Sequence, residues 1–564
     1  MPKNEWMRAG CIAVALSLAV TCSARASQNE LSPVTPAQVD EVFSQWNRVD
    51  SPGCAVAVLH DGETIYSRGY GMADLSHAAA IVPATPFHVA SVSKQFTAAA
   101  ILLLEEQGKL SLDDDVRRYI PELHDFGARI TLRHLLHHTS GLRDQWGLLV
   151  LAGFRYSQDL ITDDDVMNIV SAQRELNFTP GSKFMYSNTG FTLAAQVVKR
   201  VSGQSLREFT TKHLFEPLGM QSTHFRDDHA EVNRGEAWGY VPARNGKFRL
   251  ALTNFDTVGA TSLYTTIEDL AKWDENFYRR RVGGAAFTSR MTHLDKLTDG
   301  GDNYFAMGLM MLRYRGLPIV EHSGGDAGYR SEILRFPDQH FTVITLCNTT
   351  APAPELSRKV ADLYVAGRFA ASLVSFTVDR AGAAAKDKVV GNDGVYLSRD
   401  TGIVMRLAAV DGALHTVSSA GRTPLRTDGR GRYLVPEAMG PGRFEPSKGA
   451  ARRFVTQGEG EPPETWDRLV PYALPSMAQA ALVGTYYSNE LDTSYRIVDR
   501  EGQLMLERKK YPADRLTAIA ADLFVSSQGG TVQFVRSTDG AIESLLVTGA
   551  RVQNVKFIRR ELLH

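Results

Sequence analysis

The apolar and polar positions change character along the chain. Up to about residue 380, long apolar stretches with helical spacing sit between short strand-like runs, whereas beyond it short alternating strands and Gly-rich turns dominate. Residues 96–104 are apolar all round apart from Thr97, which predicts a helix buried on every side, with Gly108 as its stop. Cys54–His60 (CAVAVLH), the turn Asp61-Gly62 and residues 64–70 predict a hairpin. Helices are expected over 130–142 (ITLRHLLHHTSGL), over 190–201 with Gly203 closing, and over 266–277 from a Thr-x-x-Asp start. Residues 317–322, Tyr329–Phe336 and Phe341–Cys347 read as strands, followed by a helix over 355–369. A hairpin first, strands last and helices inserted between them predict a layered α/β domain with a mostly antiparallel sheet.

The second regime contains a repeat. Gly394-Val395-Tyr396-Leu397-Ser398 recurs as Gly484-Thr485-Tyr486-Tyr487-Ser488, and Asp411-Gly412-Ala413-Leu414 recurs as Glu501-Gly502-Gln503-Leu504. The two pairs keep one offset, since 484 − 394 = 502 − 412 = 90. Two copies are too few for a propeller or solenoid, so similar all-β modules are expected at 385–470 and 476–564, joined by the Pro-rich stretch 459–475. The small-residue run 381–386 separates them from the first domain, expected at 27–375.

At the N-terminus, Lys3 and Arg8 precede an uncharged, mostly apolar run over 9–22 and then Ala24-Arg25-Ala26. This fits a secretory signal over 1–26, because the run is shorter than the roughly 20 residues needed to span a bilayer. A periplasmic or secreted location with no stable membrane span in the mature chain is the expectation. Lys and Arg total 62 against 63 Asp and Glu, and no dense basic block appears, so nucleic acid is not an evident partner. The expected mature chain keeps only Cys54 and Cys347, which excludes a disulfide scaffold and a cysteine-based zinc site.

Against that background the polar residues near the buried helix stand out. Ser91 and Lys94 lie three apart at its expected start, on one helical face. A serine hydroxyl becomes a useful nucleophile when a base takes its proton, and a lysine serves as that base once burial lowers its pKa from about 10.4. Tyr186 and Asn188 sit two apart in a segment read as extended, so both face one side. The run His322-Ser323-Gly324-Gly325 falls between two expected strands, with glycines that let backbone approach a ligand closely. His134, His137 and His138 lack an acidic or cysteine partner within their helix, which favours structural or capping roles over a metal site.

Ser91-Val92-Ser93-Lys94, Tyr186-Ser187-Asn188 and His322-Ser323-Gly324, in this order, resemble the serine hydrolases of the β-lactamase-related, penicillin-recognising family. The nearest branch holds class C β-lactamases, D,D-peptidases, esterases and D-aminopeptidases. The resemblance covers roughly 52–369 and extends to the text around each motif, such as LLHHTSGL and HSGGDAGYRSEILRFP. It implies that Ser91 attacks a carbonyl and that Lys94 with Tyr186 accepts and returns its proton. It also implies that Asn188 holds the substrate amide, and that the N–H groups of Ser91 and Gly325 form an oxyanion hole on the strand that carries Ser323 and Gly324. No metal or organic cofactor is implied, and the partner is a small-molecule or short-peptide substrate.

Where many relatives carry lysine first in the third motif, this chain has His322, mostly neutral at pH 7. That lowers the expectation of β-lactamase or D,D-peptidase activity relative to a small amide, peptide or ester substrate. A noncatalytic binding or scaffold role is the alternative from another class. The family places the strands of Cys54 and Cys347 side by side, which leaves a bridge and two separate buried thiols both open. The whole chain resembles the D-aminopeptidase layout, whose modules are lipocalin-like barrels. In that layout a loop from the second module reaches the cleft; in the competing reading the modules are spacers.

Overall fold

The computed structural model describes residues 31–243, 246–369, 391–398, 400–418, 421–427, 432–434, 441–446, 452–457, 463–549 and 551–560. The expected signal at 1–26 and the small-residue run 381–386 lie outside the described residues.

In chain order the first domain supplies α1 (Pro36–Val42), β1 (Cys54–His60), β2 (Glu63–Tyr70), α2 (Lys94–Glu106), α3 (Gln145–Ala152), α4 (Asn188–Ser202) and α5 (Ile267–Arg279). There follow β3 (Met310–Tyr314), β4 (Leu317–Asp326), β5 (Tyr329–Phe336), β6 (Phe341–Cys347) and α6 (Ala353–Val365). The strands form one six-stranded sheet in the order β3-β4-β5-β6-β1-β2, antiparallel at every step. The alternation along β1 explains its place inside the sheet, between β6 and β2. Val56 and Val58 enter the cluster beneath α1 and α6, whereas Ala55, Ala57 and Leu59 enter the larger cluster shared with α2, α4 and α5. A strand buried on both faces reads as continuously apolar, as CAVAVL does.

Every residue from Lys94 to Leu104 is buried, as an all-round apolar helix requires, and α2 packs along α4. Cys54 pairs in register with Cys347 across β1 and β6, and the two form a disulfide.

Several local expectations change. The helix expected over 130–142 is only Leu132–Leu136, capped by Thr131, and His138 beyond it takes a positive φ of 58°. Ser91 lies in a 3₁₀ turn, Ala90–Ser93, ahead of α2 rather than inside it. The third motif, read as a loop between strands, is the end of β4. Its glycines stay in the ladder, with Gly324 opposite Ser331 and Gly325 opposite Arg330. Glycine usually signals a turn, but here it lets the strand lie against its neighbour.

The all-β modules are present. Gly484–Ser488 to Val552–Arg560 form a closed barrel of eight strands. Before it, nine strands from Gly394–Ser398 to Glu464–Leu469 form one sheet among the described residues. Glu464–Leu469, inside both the expected first module and the Pro-rich stretch 459–475, pairs with Gly394–Ser398 and so belongs to the module. The repeat is structural: the Tyr396 hydroxyl donates to Asn392 O at 2.9 Å, and its counterpart Tyr486 donates to Leu482 O at 2.8 Å.

Candidate active site

The site forms where the turn before α2, the start of α4, the end of β4 and one barrel turn converge. Ala90, immediately before Ser91, holds φ at 48°, a conformation that a non-glycine residue keeps only when its surroundings impose it. Val89 O, just upstream, accepts the Ser331 hydroxyl of β5 at 2.8 Å, and Val89 N donates to Leu263 O at 3.0 Å. Ser91 is half-buried, while Lys94 on the next turn is fully buried.

Lys94 Nζ lies 3.0 Å from Ser91 Oγ and donates to Asn188 Oδ1 at 2.9 Å and Ala260 O at 2.7 Å. Burial holds its ammonium well below the ordinary lysine value; Asp144 pulls it up, Arg551 pushes it further down and Asp326 opposes that. A neutral amine has two N–H donors and one lone pair. The two carbonyl oxygens, which can only accept, take the N–H groups and leave the lone pair for the Ser91 hydroxyl.

Asn188 is itself fixed. Its Nδ2 and its backbone N–H both donate to Asp144 Oδ2 at 2.8 Å, which directs Oδ1 toward Lys94. Asp144 is fully buried and caps α3 through Trp146 N. Tyr186 reaches the site from an irregular segment, not from a strand, and Asn188 opens α4, so the turn into α4 and not a period-two alternation brings the two together. Burial pushes the pKa of the Tyr186 hydroxyl above the ordinary tyrosine range, and the neighbouring Ser91 side chain opposes that. Lys94 Nζ lies 4.9 Å from the centre of its ring.

The imidazole of His138 packs on the Tyr186 ring at 4.1 Å, and its Nδ1 accepts Ser187 N at 3.1 Å. Its role is thus positional, as His134's is in the Thr131 cap. His322 is buried beside Phe305 and Tyr186, with Nδ1 at 2.6 Å from Ser323 O. Burial and the nearby Lys94 take its pKa down to about 3, so it is neutral throughout the working range. Gly324 is forced: a Cβ there would meet Val89 O and Ser331 Oγ, each at 2.2 Å. Gly325 is exposed at the strand end. Next to it, buried Asp326 accepts the Tyr156 hydroxyl at 3.0 Å, and burial raises its carboxyl to about 7.

The fourth wall comes from the barrel. Arg551, in the turn between Ile542–Gly549 and Val552–Arg560, stands with its guanidinium 5.5 Å from the Tyr186 ring centre and 3.6 Å from Asp144 Oδ2. The turn is clamped. The fully buried side chain of Arg143 donates to Gln553 O at 2.9 Å, to Asn554 O at 3.2 Å and to Glu490 at 2.6 Å. Asn177 donates to Arg551 O at 2.9 Å and accepts Gln553 N at 2.8 Å. The second module therefore touches the cleft, and the spacer reading does not hold for it.

Sequence reasoning picked Ser91, Lys94, Tyr186, Asn188, His322, Ser323, Gly324 and Gly325, and the fold brings them to one place. It missed Asp144 and Arg551, whereas His138, expected in a structural role, takes one against Tyr186. Asp144 before an apolar run signals a helix cap, and nothing local points it at Lys94.

Fold and site together define a serine hydrolase of the penicillin-recognising type. The sequence model of the Beta-lactamase family matches residues 39–366, more than half of the chain, and the chain belongs to that family. The similarity runs on past that domain. The D-aminopeptidase of Brucella anthropi is 26% identical over 459 residues, covering 80% of this chain and 82% of that protein. The D-aminopeptidase of Gluconobacter oxydans is 27% identical over 367 residues, covering 65% and 66%. The octameric penicillin-binding protein homologue from Pyrococcus abyssi shares the fold, with a TM-score of 0.53 at 21% identity over 85% of this chain and 98% of that one. The layout is thus D-aminopeptidase-like, a β-lactamase-type domain followed by all-β modules.

Proposed function

We propose that this protein hydrolyses a small amide or short peptide through an acyl-enzyme on Ser91, in the manner of a D-aminopeptidase. The observation that carries the reading is the buried amine of Lys94, 3.0 Å from Ser91 Oγ and held by two carbonyl-type acceptors. The amine takes the Ser91 proton as Oγ bonds to the substrate carbonyl carbon. The carbonyl electron pair moves onto oxygen, toward the N–H groups of Ser91 and Gly325. As the tetrahedral adduct collapses, the proton passes by way of Lys94 and Tyr186 to the leaving nitrogen, and water then releases the acyl group by the reverse sequence. Tyr186, with its raised pKa, is the proton donor of the pair, and Lys94 is the acceptor.

The amide and peptide preference rests on the named relatives and on a cleft narrowed by the barrel turn, which favours short substrates. The neutral His322 weighs against carboxylate capture by the third motif, and so against β-lactam substrates. A secreted or periplasmic location is supported by the Cys54–Cys347 disulfide, which an oxidising compartment preserves, and by the signal-like pattern over 1–26. Among the described residues no helix is long and apolar enough to cross a membrane.

Gly324 offers a test of the oxyanion strand. Gly324→Ala drives a methyl into Val89 O, so the strand end must shift and carry Gly325 N–H with it. We expect kcat to fall by about 10²- to 10³-fold with KM little changed, as for loss of one oxyanion donor. An equal rise in KM would assign the strand to ground-state binding instead.

The hydrolase reading itself is tested by mass spectrometry after treatment with a fluorophosphonate. One covalent adduct per chain is expected, mapping to Ser91 and absent from Ser91→Ala. A folded protein that takes no label, or takes it elsewhere, overturns the proposal.

A further inference from the structure

Arg551 is more than a closing residue. It reaches the cleft from a module that the three catalytic-type motifs do not need, and its turn is fixed at several points: Asp144 N donates to Arg551 O at 3.3 Å, Asn177 Nδ2 donates to it at 2.9 Å, and Arg143 ties down Gln553 O and Asn554 O. Its backbone holds φ at 64°, a strained setting for an arginine that this clamp imposes. This delivery places a permanent cation beside the Tyr186 ring.

The guanidinium's hydrogen-bonding capacity is largely unspent. Asp144 is its nearest acid, but at 3.6 Å the contact is beyond hydrogen-bond range. Asp144 Oδ2 already accepts two N–H groups from Asn188, and Oδ1 accepts Trp146 N. Arg551 Nε is buried with no acceptor among the described residues, while 34% of the side chain stays open. A planar fork with free N–H edges at the mouth of a site matches one ligand group well, a carboxylate held in two parallel hydrogen bonds.

We propose that Arg551 recognises a free carboxylate on the substrate, so that this site prefers an amide or peptide that carries this group over the matched compound without it. The inference rests on the hydrolase reading above and names its substrate class. His322, buried and neutral, supplies no charge for that purpose, so the cation comes from the barrel instead of from β4.

Matched substrates test this. On the acyl side, the 4-nitroanilides of D-alanine, N-acetyl-D-alanine and N-succinyl-D-alanine are compared; on the leaving side, D-alanyl-D-alanine is compared with its C-terminal amide. The wild-type enzyme is expected to favour the carboxylate-bearing member of at least one set by about 10- to 100-fold in kcat/KM, the scale of a charged hydrogen-bonded pair. Arg551→Gln brings that ratio to within about threefold of unity, and Arg551→Lys gives an intermediate value, because a point charge lacks the fork. No preference for the carboxylate in either set, or a preference that survives Arg551→Gln, overturns the inference.

Titration of N-succinyl-D-alaninamide and N-acetyl-D-alaninamide, and of the dipeptide and its amide, into the Ser91→Ala protein with and without Arg551→Gln repeats the comparison without turnover. Arg551-dependent anion binding in an enzyme that hydrolyses none of these compounds would keep the inference and reject the hydrolase reading. Active enzyme with no charge preference would do the opposite.

Discussion

Ser91→Ala is expected to lower kcat by about 10⁴- to 10⁶-fold on any substrate the enzyme accepts, while thermal unfolding stays close to that of the wild type. The size follows from what the hydroxyl does. Without it no acyl-enzyme forms, and the residual rate above water comes from binding and the two proposed oxyanion donors. The fold tolerates the change because Ser91 is half-buried in a turn that is held by Val89 and the start of α2, not by its own oxygen. Adding Lys94→Met to Ser91→Ala should cost little more, since a base without a nucleophile has no step to catalyse. A Ser91→Ala protein with near wild-type kcat, free of contaminating hydrolase, would place the nucleophile elsewhere.

Lys94→Met alone is expected to cut kcat by about 10²- to 10⁴-fold, the usual worth of a positioned general base. Its clearer signature is in pH. In the wild type, kcat/KM should rise with pH through the lowered pKa of Lys94, far below 10.5, because only the neutral amine accepts the Ser91 proton. In Lys94→Met that rising limb disappears.

Stability carries the same information. The unfolded chain keeps a proton on Lys94 up to about 10.5, whereas the folded chain releases it at lower pH. Between those values the unfolded state binds more protons, so stability increases as pH rises toward 10.5, and this part of the slope is missing in Lys94→Met. Unfolding curves measured from neutral to alkaline pH decide the point. An unchanged rising limb in kcat/KM for the variant would show that another group is the base.

Local pattern was enough for much of the fold. CAVAVLH and its hairpin partner, the strands Tyr329–Phe336 and Phe341–Cys347, and the buried stretch of α2 all declare themselves, because burial on one or both faces writes a period into neighbouring residues. Ser91 and Lys94 were legible for a related reason: three residues span one turn, so chain geometry puts both side chains on one face, and Lys94 Nζ lies 3.0 Å from Ser91 Oγ. The 90-residue repeat was legible as text and returns as paired tyrosines capping equivalent strands.

Other features depend on neighbours that are remote in the chain, and no local period records them. Gly324 reads as a glycine that lets a ligand approach the backbone, until Val89 O and Ser331 Oγ are found pressed against it. Asp144 reads as a helix cap until Asn188 is folded onto it. The Cys54–Cys347 bond follows only from the pairing of β1 with β6. Arg551 is the extreme case. Its sequence context is an ordinary barrel turn, and it becomes part of the cleft only because a buried arginine, Arg143, and an amide, Asn177, in another domain capture the backbone around it. Short-range sequence specifies which face of an element is buried; packing of whole elements, driven by apolar area with no memory of sequence distance, decided which polar groups were left facing Ser91.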